Sequence, residues 1–234
     1  MKLTGLVSFV FAAIWLALPA ATCAQQQVPG CCRDDSSKGS RSCSEAGFVS
    51  LFDGKSLHGW HGDPTLWKVQ DGVIVGQTDG KIPHNTFLIH ERTFSDFVLK
   101  VEFRLHGHRG NSGIQFRSQE HDDFVVSGYQ ADIADNQFMG ILYGERTGRG
   151  IIANVTPEVK KALEKAIHKD GWNQYVITAR GDHIVLELNG VKTVDIRDPD
   201  GPRSGIIALQ LHRGHNMTIS FRNIRIKTWK PTAK

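Results

Sequence analysis

From residue 47 onward, apolar and polar side chains alternate in short runs that stop at turn-forming pairs. Phe48-Val49-Ser50-Leu51-Phe52 ends at Asp53-Gly54. Trp67-Lys68-Val69 ends at Asp71-Gly72, and Val73-Ile74-Val75 follows directly, the pattern of a hairpin with an Asp-Gly turn. Further runs cover residues 86–90, 97–106, 112–117, 128–134, 175–180, 183–188, 205–212 and 217–228, with tight turns marked by Gly181-Asp182 and Asn189-Gly190. One stretch reads as helix: Thr156 can cap residues 157–168, with Pro157 at the first helical position. Many short strands between regular turns predict an all-β jelly-roll sandwich of two antiparallel sheets with one short peripheral helix.

Strand parity then separates core from face. In residues 97–106, Phe97, Leu99, Val101, Phe103 and Leu105 point one way, and Lys100, Glu102, Arg104 and His106 the other. By the same rule Gln115 and Arg117 oppose Ile114 and Phe116, Gln130 and Asp132 oppose Tyr129, Ala131 and Ile133, and Gln210 and His212 oppose Ile207, Leu209 and Leu211. The polar set is rich in Arg, Gln, Asp and His, which carry several directed hydrogen-bonding groups each. Read as one surface, Glu102, Arg104, Gln115, Arg117, Gln130, Asp132, Gln210 and His212 suit a sugar, whose hydroxyls need paired donors and acceptors. The plainer alternative is a solvated sheet face with incidental ion pairs.

Composition adds little to this picture and removes some options. The 234 residues are 40% hydrophobic and 22% charged, as in an ordinary globular protein, and 24 glycines suit a turn-rich fold. The net charge of +4 is dispersed, without a basic block, which argues against a nucleic-acid partner. The N-terminus is different in character. Lys2, an apolar run from Leu6 to Leu18, Pro19 and the small residues before Ala24 have the layout of a secretory signal peptide over residues 1–24, and no later segment approaches a membrane span. Lipoprotein anchoring through Cys23 is the rival reading, and Ala20-Ala21-Thr22 fits it poorly. Cleavage after Ala24 leaves Cys31, Cys32 and Cys43 in a Gly/Ser-rich leader, residues 25–46, where Cys43 can pair with either neighbour in an oxidising compartment. A secreted or periplasmic location is therefore expected, with residues 47–230 as the folded domain.

Several motifs, in order, resemble a known family. They are Phe48-Val49-Ser50-Leu51-Phe52-Asp53-Gly54-Lys55-Ser56-Leu57-His58-Gly59-Trp60, Asn111-Ser112-Gly113-Ile114-Gln115-Phe116-Arg117 and Gly128-Tyr129-Gln130-Ala131-Asp132-Ile133. Gly171-Trp172-Asn173, Leu188-Asn189-Gly190, Leu209-Gln210-Leu211-His212 and Phe221-Arg222-Asn223-Ile224-Arg225-Ile226 close the match. The family is the 3-keto-disaccharide hydrolase domain. The resemblance implies a concanavalin-A-like lectin/glucanase fold with a polar concave groove, and a 3-keto sugar as substrate. In another common form of the family, Glu and Gln stand where this chain has Gln130 and Asp132, so the carboxylate here moves two residues along the same strand face. The segment from Leu142 to Arg149, with Tyr143 and Glu145 ahead of Gly148-Arg149, fits the Gln/Asp form.

The implied chemistry asks for three groups. A ketone at C3 acidifies the hydrogen at C2; a base takes that proton, charge builds on the ketone oxygen, the C1 substituent leaves, and water adds back. Asp132 or Glu145 is the candidate base, Arg117 or Arg149 the candidate enolate partner, and His212 the candidate acid, with a reference pKa of about 6.5. Glu102, Arg104, Asn111, Gln115, Arg117, Gln130, Arg149 and Gln210 are candidate substrate contacts. Ordinary glycoside hydrolysis by a carboxyl pair about 5–9 Å apart is a second option, with Glu102 and Asp132 as the pair. A divalent metal is a candidate cofactor, held by Asp132, His212 and Glu145, although no tight ligand motif supports it. A non-catalytic carbohydrate-binding module and a cell-envelope interaction domain are the alternatives to an enzyme.

Overall fold

The computed structural model describes residues 46–229. The signal-peptide segment 1–24, leader residues 25–45 and all four cysteines lie outside the described residues. The strands are β1 (Val49–Ser50), β2 (Trp60–His61), β3 (Trp67–Gln70), β4 (Val73–Thr78), β5 (Thr86–Phe94), β6 (Phe97–Leu105), β7 (Asn111–His121) and β8 (Val125–Ala134). They continue with β9 (Leu142–Glu145), β10 (Gly150–Ala153), β11 (Asn173–Arg180), β12 (His183–Leu188), β13 (Val191–Arg197), β14 (Gly205–Leu211) and β15 (Met217–Thr228), and the helix is α1 (Pro157–Ala166). One sheet runs β13-β12-β11-β6-β15-β4-β3 with β1 beside β15, and the other runs β10-β9-β8-β7-β14-β5-β2. All pairings are antiparallel, so the expected sandwich of two antiparallel sheets with one short helix is the architecture seen.

Period-2 sequence produces the eight-stranded sheet. In β6 every second residue is buried, and the alternation recurs in β11 and β12. Phe97, Leu99, Val101, Phe103, Tyr175, Ile177 and Leu186 thereby enter the core, and the other face of these strands is half-exposed. The turns agree: Asp71-Gly72 and Asn189-Gly190 each place two successive residues at positive φ, as a two-residue hairpin turn requires. In α1, Thr156 Oγ1 accepts from Val159 N at 3.3 Å, and Leu163 is the buried residue. The helix stops at Ala166, where Asn189 Nδ2 donates to the Ala166 carbonyl, two residues earlier than the sequence pattern suggests.

The seven-stranded sheet behaves differently. Strands β7, β8 and β14 are buried on both faces over most of their length. The outer face of this sheet carries a second apolar cluster, Phe87 and Ile89 from β5, Val126 from β8 and Ile206 and Ala208 from β14, with Phe124 packed against it. Beside that cluster the same face becomes polar, with Gln115, Gln130, Asp132 and Gln210 all buried. Buried polar groups need partners, so this is where a site is to be sought.

Candidate functional site

Residues from β7, β8 and β9 and from the loops beside β5 and β14 line a cleft of about 420 Å³. Asn111 enters from β7, Gln130 and Asp132 from β8, Tyr143 and Glu145 from β9, Asn85 from the turn before β5, and His212 from the end of β14; Phe138, Ile141 and Arg146 complete the wall. Parity explains the pairs Gln130/Asp132 and Tyr143/Glu145, each two residues apart and so on one face. Between them, Gly113 pairs with Asp132 across the β7–β8 ladder. A β-carbon on Gly113 would stand 2.4 Å from Gln130 Cγ, so the absent side chain is the space Gln130 occupies.

A directed chain of hydrogen bonds ends on Asp132. Ser118 Oγ donates to Gln115 Oε1 at 2.9 Å, Gln115 Nε2 to Gln130 Oε1 at 2.6 Å, and Gln130 Nε2 to Asp132 Oδ2 at 2.9 Å. The strand backbone is fixed as well: Asp132 N donates to Ile141 O, and the Asp132 carbonyl accepts from Gly140 N and, at 2.7 Å, from Tyr175 Oη. Asp132 is only 4% exposed. Burial pushes its carboxyl up from 3.8 to about 7, opposed by the Gln130 donation and reinforced by the negative Glu145 nearby.

The other cleft groups are also held. Glu145 accepts from Asn85 Nδ2 at 3.0 Å on one oxygen and from Gln210 Nε2 at 3.4 Å on the other. His212 donates Nδ1–H to the Arg213 carbonyl at 2.6 Å, an assignment that leaves Nε2 as the open acceptor of a neutral ring. Burial lowers the His212 pKa, against the raising effect of that hydrogen bond. Among the described residues, three buried acceptor atoms lack a protein partner: Asn111 Oδ1, Asp132 Oδ1 and Gln210 Oε1. All three belong to the outer-face patch around Gly113, and they ask for a ligand that supplies donors. As for a metal, Asp132, His212 and Glu145 share the cleft, but among the described residues no three His, Cys, Asp or Glu side chains come together as an ion-binding group.

Four expected site residues are elsewhere. Glu102 and Arg104 belong to β6, in the opposite sheet. There Glu102 accepts from Arg222 Nε at 2.7 Å and Asn223 Nδ2 at 2.9 Å, and Arg104 pairs with Asp170 at 3.3 Å. Parity gives the side of a strand and not the sheet it joins, so the single polar surface read from four strands divides in two, and Glu102 is no partner for Asp132 in a carboxyl pair. Arg117 is turned inward by a bulge. The β7–β8 register shifts between Phe116 and Gln119, and Arg117 has φ +48°. Glycines on both neighbouring strands admit the bulge: a β-carbon would meet Ser118 Cα at 2.6 Å from Gly128 and Ser118 O at 2.3 Å from Gly205. Arg117 then donates to Ser95 O, Gly181 O and Pro202 O and pairs with Asp96 at 2.9 Å, fully occupied and 1% exposed. Arg149 is held by both oxygens of Asp198, at 2.7 and 3.0 Å, and Asp198 also accepts from Tyr129 Oη. Neither arginine lines the cleft.

Five cleft residues were not offered as site residues from sequence: Asn85, Phe138, Ile141, Tyr143 and Arg146. Tyr143 had a signal, its parity with Glu145. Asn85 and Arg146 lie in turns, where no periodicity marks them.

The fold is an all-β sandwich with a polar cleft on one sheet face, where unpaired acceptors stand ready for a ligand that supplies donors. Residues 47–227 match the 3-keto-alpha-glucoside-1,2-lyase-like domain, and the chain belongs to that family. A curated relative, the 3-keto-disaccharide hydrolase of Bacteroides thetaiotaomicron, is 32% identical over 83 residues, which span 32% of this chain and 28% of that protein. Among solved structures, a candidate glycosyl hydrolase of Parabacteroides distasonis aligns with a TM-score of 0.60 at 19% identity, covering 80% of this chain and 96% of that one. The carbohydrate binding module CBM66 from Bacillus subtilis aligns with a TM-score of 0.56 at 20% identity, covering 73% and 96%. These two likenesses bear on the fold.

Proposed function

We propose that the protein cleaves 3-keto-glucosides by elimination across C1–C2, with Asp132 as the base. The observation that carries this reading is Asp132 Oδ1. It is a buried carboxylate oxygen without a protein partner, on a carboxyl whose other oxygen is pinned by Gln130 and whose pKa is raised to about 7. A base of that strength is matched to neutral solution. Asp132 takes the C2 proton, and the C2–H electron pair forms the C2–C3 double bond of an enolate with its charge on the C3 oxygen. Re-formation of the ketone then drives the pair toward C1, the C1–O bond breaks, and the leaving oxygen takes a proton from the now-protonated Asp132 or from water in the cleft. Water added across the resulting C1–C2 double bond gives net hydrolysis. The neutral His212 ring, with Nε2 open, suits the acceptor for that water better than the acid, because burial disfavours its protonated form. Asn111 Oδ1, on the cleft wall, accepts from a sugar hydroxyl.

The family membership and the Bacteroides relative support the substrate class. The apolar N-terminal run supports export, which puts the reaction outside the cytoplasm. The test is turnover of 4-nitrophenyl 3-keto-α-glucopyranoside beside the unoxidised glucoside. Release of nitrophenol from the keto sugar alone is expected. Tight binding of either sugar without release would favour a carbohydrate-binding module instead.

A further inference from the structure

We propose that Arg146 is the cation that stabilises the enolate. The inference rests on the elimination reading above, and it assigns the one role that reading leaves open. When Asp132 removes the C2 proton, a full negative charge moves onto the C3 oxygen, and a cation or donor there lowers the barrier. The acceptors cannot serve: Asn111 Oδ1 and Glu145 in the cleft, and Gln210 Oε1 behind it, all repel an oxyanion. The arginines that sequence reasoning offered are occupied, Arg117 by three carbonyls and Asp96, and Arg149 by Asp198. Arg146 lines the same cleft as Asp132, and among the described residues it makes no hydrogen bond or ion pair that would hold its guanidinium away from it.

Its backbone points the same way. Arg146 sits at φ +51°, in the left-handed region that disfavours a residue with a β-carbon. The turn that imposes this is tightly built: Thr147 N and Oγ1 both donate to Gly144 O, and Thr147 Oγ1 accepts from Arg149 N. Glycine or asparagine would suit the position better on conformational grounds. A long cationic side chain kept at a strained backbone position, one residue after Glu145 on the cleft rim, is the kind of cost that marks a functional residue.

The experiment uses Arg146→Gly, which relieves the backbone strain and removes the guanidinium. The variant should melt no lower than the wild type, so loss of activity cannot be laid to unfolding. Turnover of 4-nitrophenyl 3-keto-α-glucopyranoside should fall about a hundredfold, as for removal of one oxyanion donor. The fall should lie in kcat, and exchange of the C2 hydrogen with solvent should slow in parallel. Guanidinium at a sub-denaturing concentration should raise the variant's rate and leave the wild type unchanged. A wild type that exchanges and cleaves, beside an Arg146→Gly variant that does both at nearly the same rate, would overturn the assignment while the elimination reading stands. A variant that loses binding alone, with kcat intact, would also overturn it. A wild type with neither exchange nor cleavage would remove both.

Discussion

Replacing Asp132 by Asn should make the protein more stable above neutral pH while removing its activity. The carboxyl is buried and its pKa is raised from 3.8 to about 7, chiefly by loss of hydration. A raised folded-state value means that stability is fully present below about pH 4 and is lost as pH rises through about 7, because the unfolded chain ionises first. At about 1.4 kcal/mol per tenfold change in acidity, the ionised Asp132 costs the fold about 4 kcal/mol at pH 8 relative to full protonation. Between pH 5 and pH 8 the part that falls on this residue is roughly 2–3 kcal/mol. Asn keeps the acceptor that Gln130 needs and cannot ionise, so Asp132→Asn should escape that loss, at the expense of one buried amide N–H where Oδ1 stood. Urea unfolding of both proteins at pH 5 and pH 8 measures the difference directly. The wild type should fall behind the variant by roughly 2–3 kcal/mol on going to the higher pH. A stability difference that does not change with pH, or a wild type that gains on the variant as pH rises, would refute the argument that burial raises this carboxyl.

Other perturbations probe the support around the cleft. Gly113→Ala drives a β-carbon into Gln130 and breaks its donation to Asp132; since that bond holds the Asp132 pKa down, the acidic limb of kcat/KM should move to higher pH. Arg117→Met should cost about 3–5 kcal/mol in urea unfolding, because it strips a buried charge from Asp96 and three carbonyls, while the kcat/KM of the folded fraction stays at the wild-type value. Glu102→Gln, on the opposite sheet, should change stability by less than about 1 kcal/mol and leave sugar binding untouched, which titration calorimetry checks.

Much of the fold was legible because its strands keep a period of two. The alternation in β6, β11 and β12 reads straight into core and surface, and the Asp71-Gly72 and Asn189-Gly190 turns announce themselves. The site was legible only in part. Gln130, Asp132 and Gln210 were found by parity because their strands run regularly where they stand. Glu102 and Arg104 were misplaced because parity carries no information about which sheet a strand joins. Arg117 was misplaced because one bulge reverses the alternation, and the glycines that admit it, Gly128 and Gly205, lie on other strands. Arg149 was drawn away by Asp198, 49 residues later, a contact with no local signature. Asn85 and Arg146 reach the cleft from turns, where the position of a side chain depends on backbone dihedrals that no pattern of polarity encodes.

The central claim is that Asp132 removes the proton from C2 of a 3-keto sugar. Methyl 3-keto-α-glucopyranoside incubated with the protein in deuterated water, and followed by proton NMR, tests it most directly. The wild type should erase the C2 proton signal of recovered sugar or product, and Asp132→Asn should leave it intact. Cleavage by the wild type with the C2 proton retained, or equal loss of that signal in Asp132→Asn, would contradict the account.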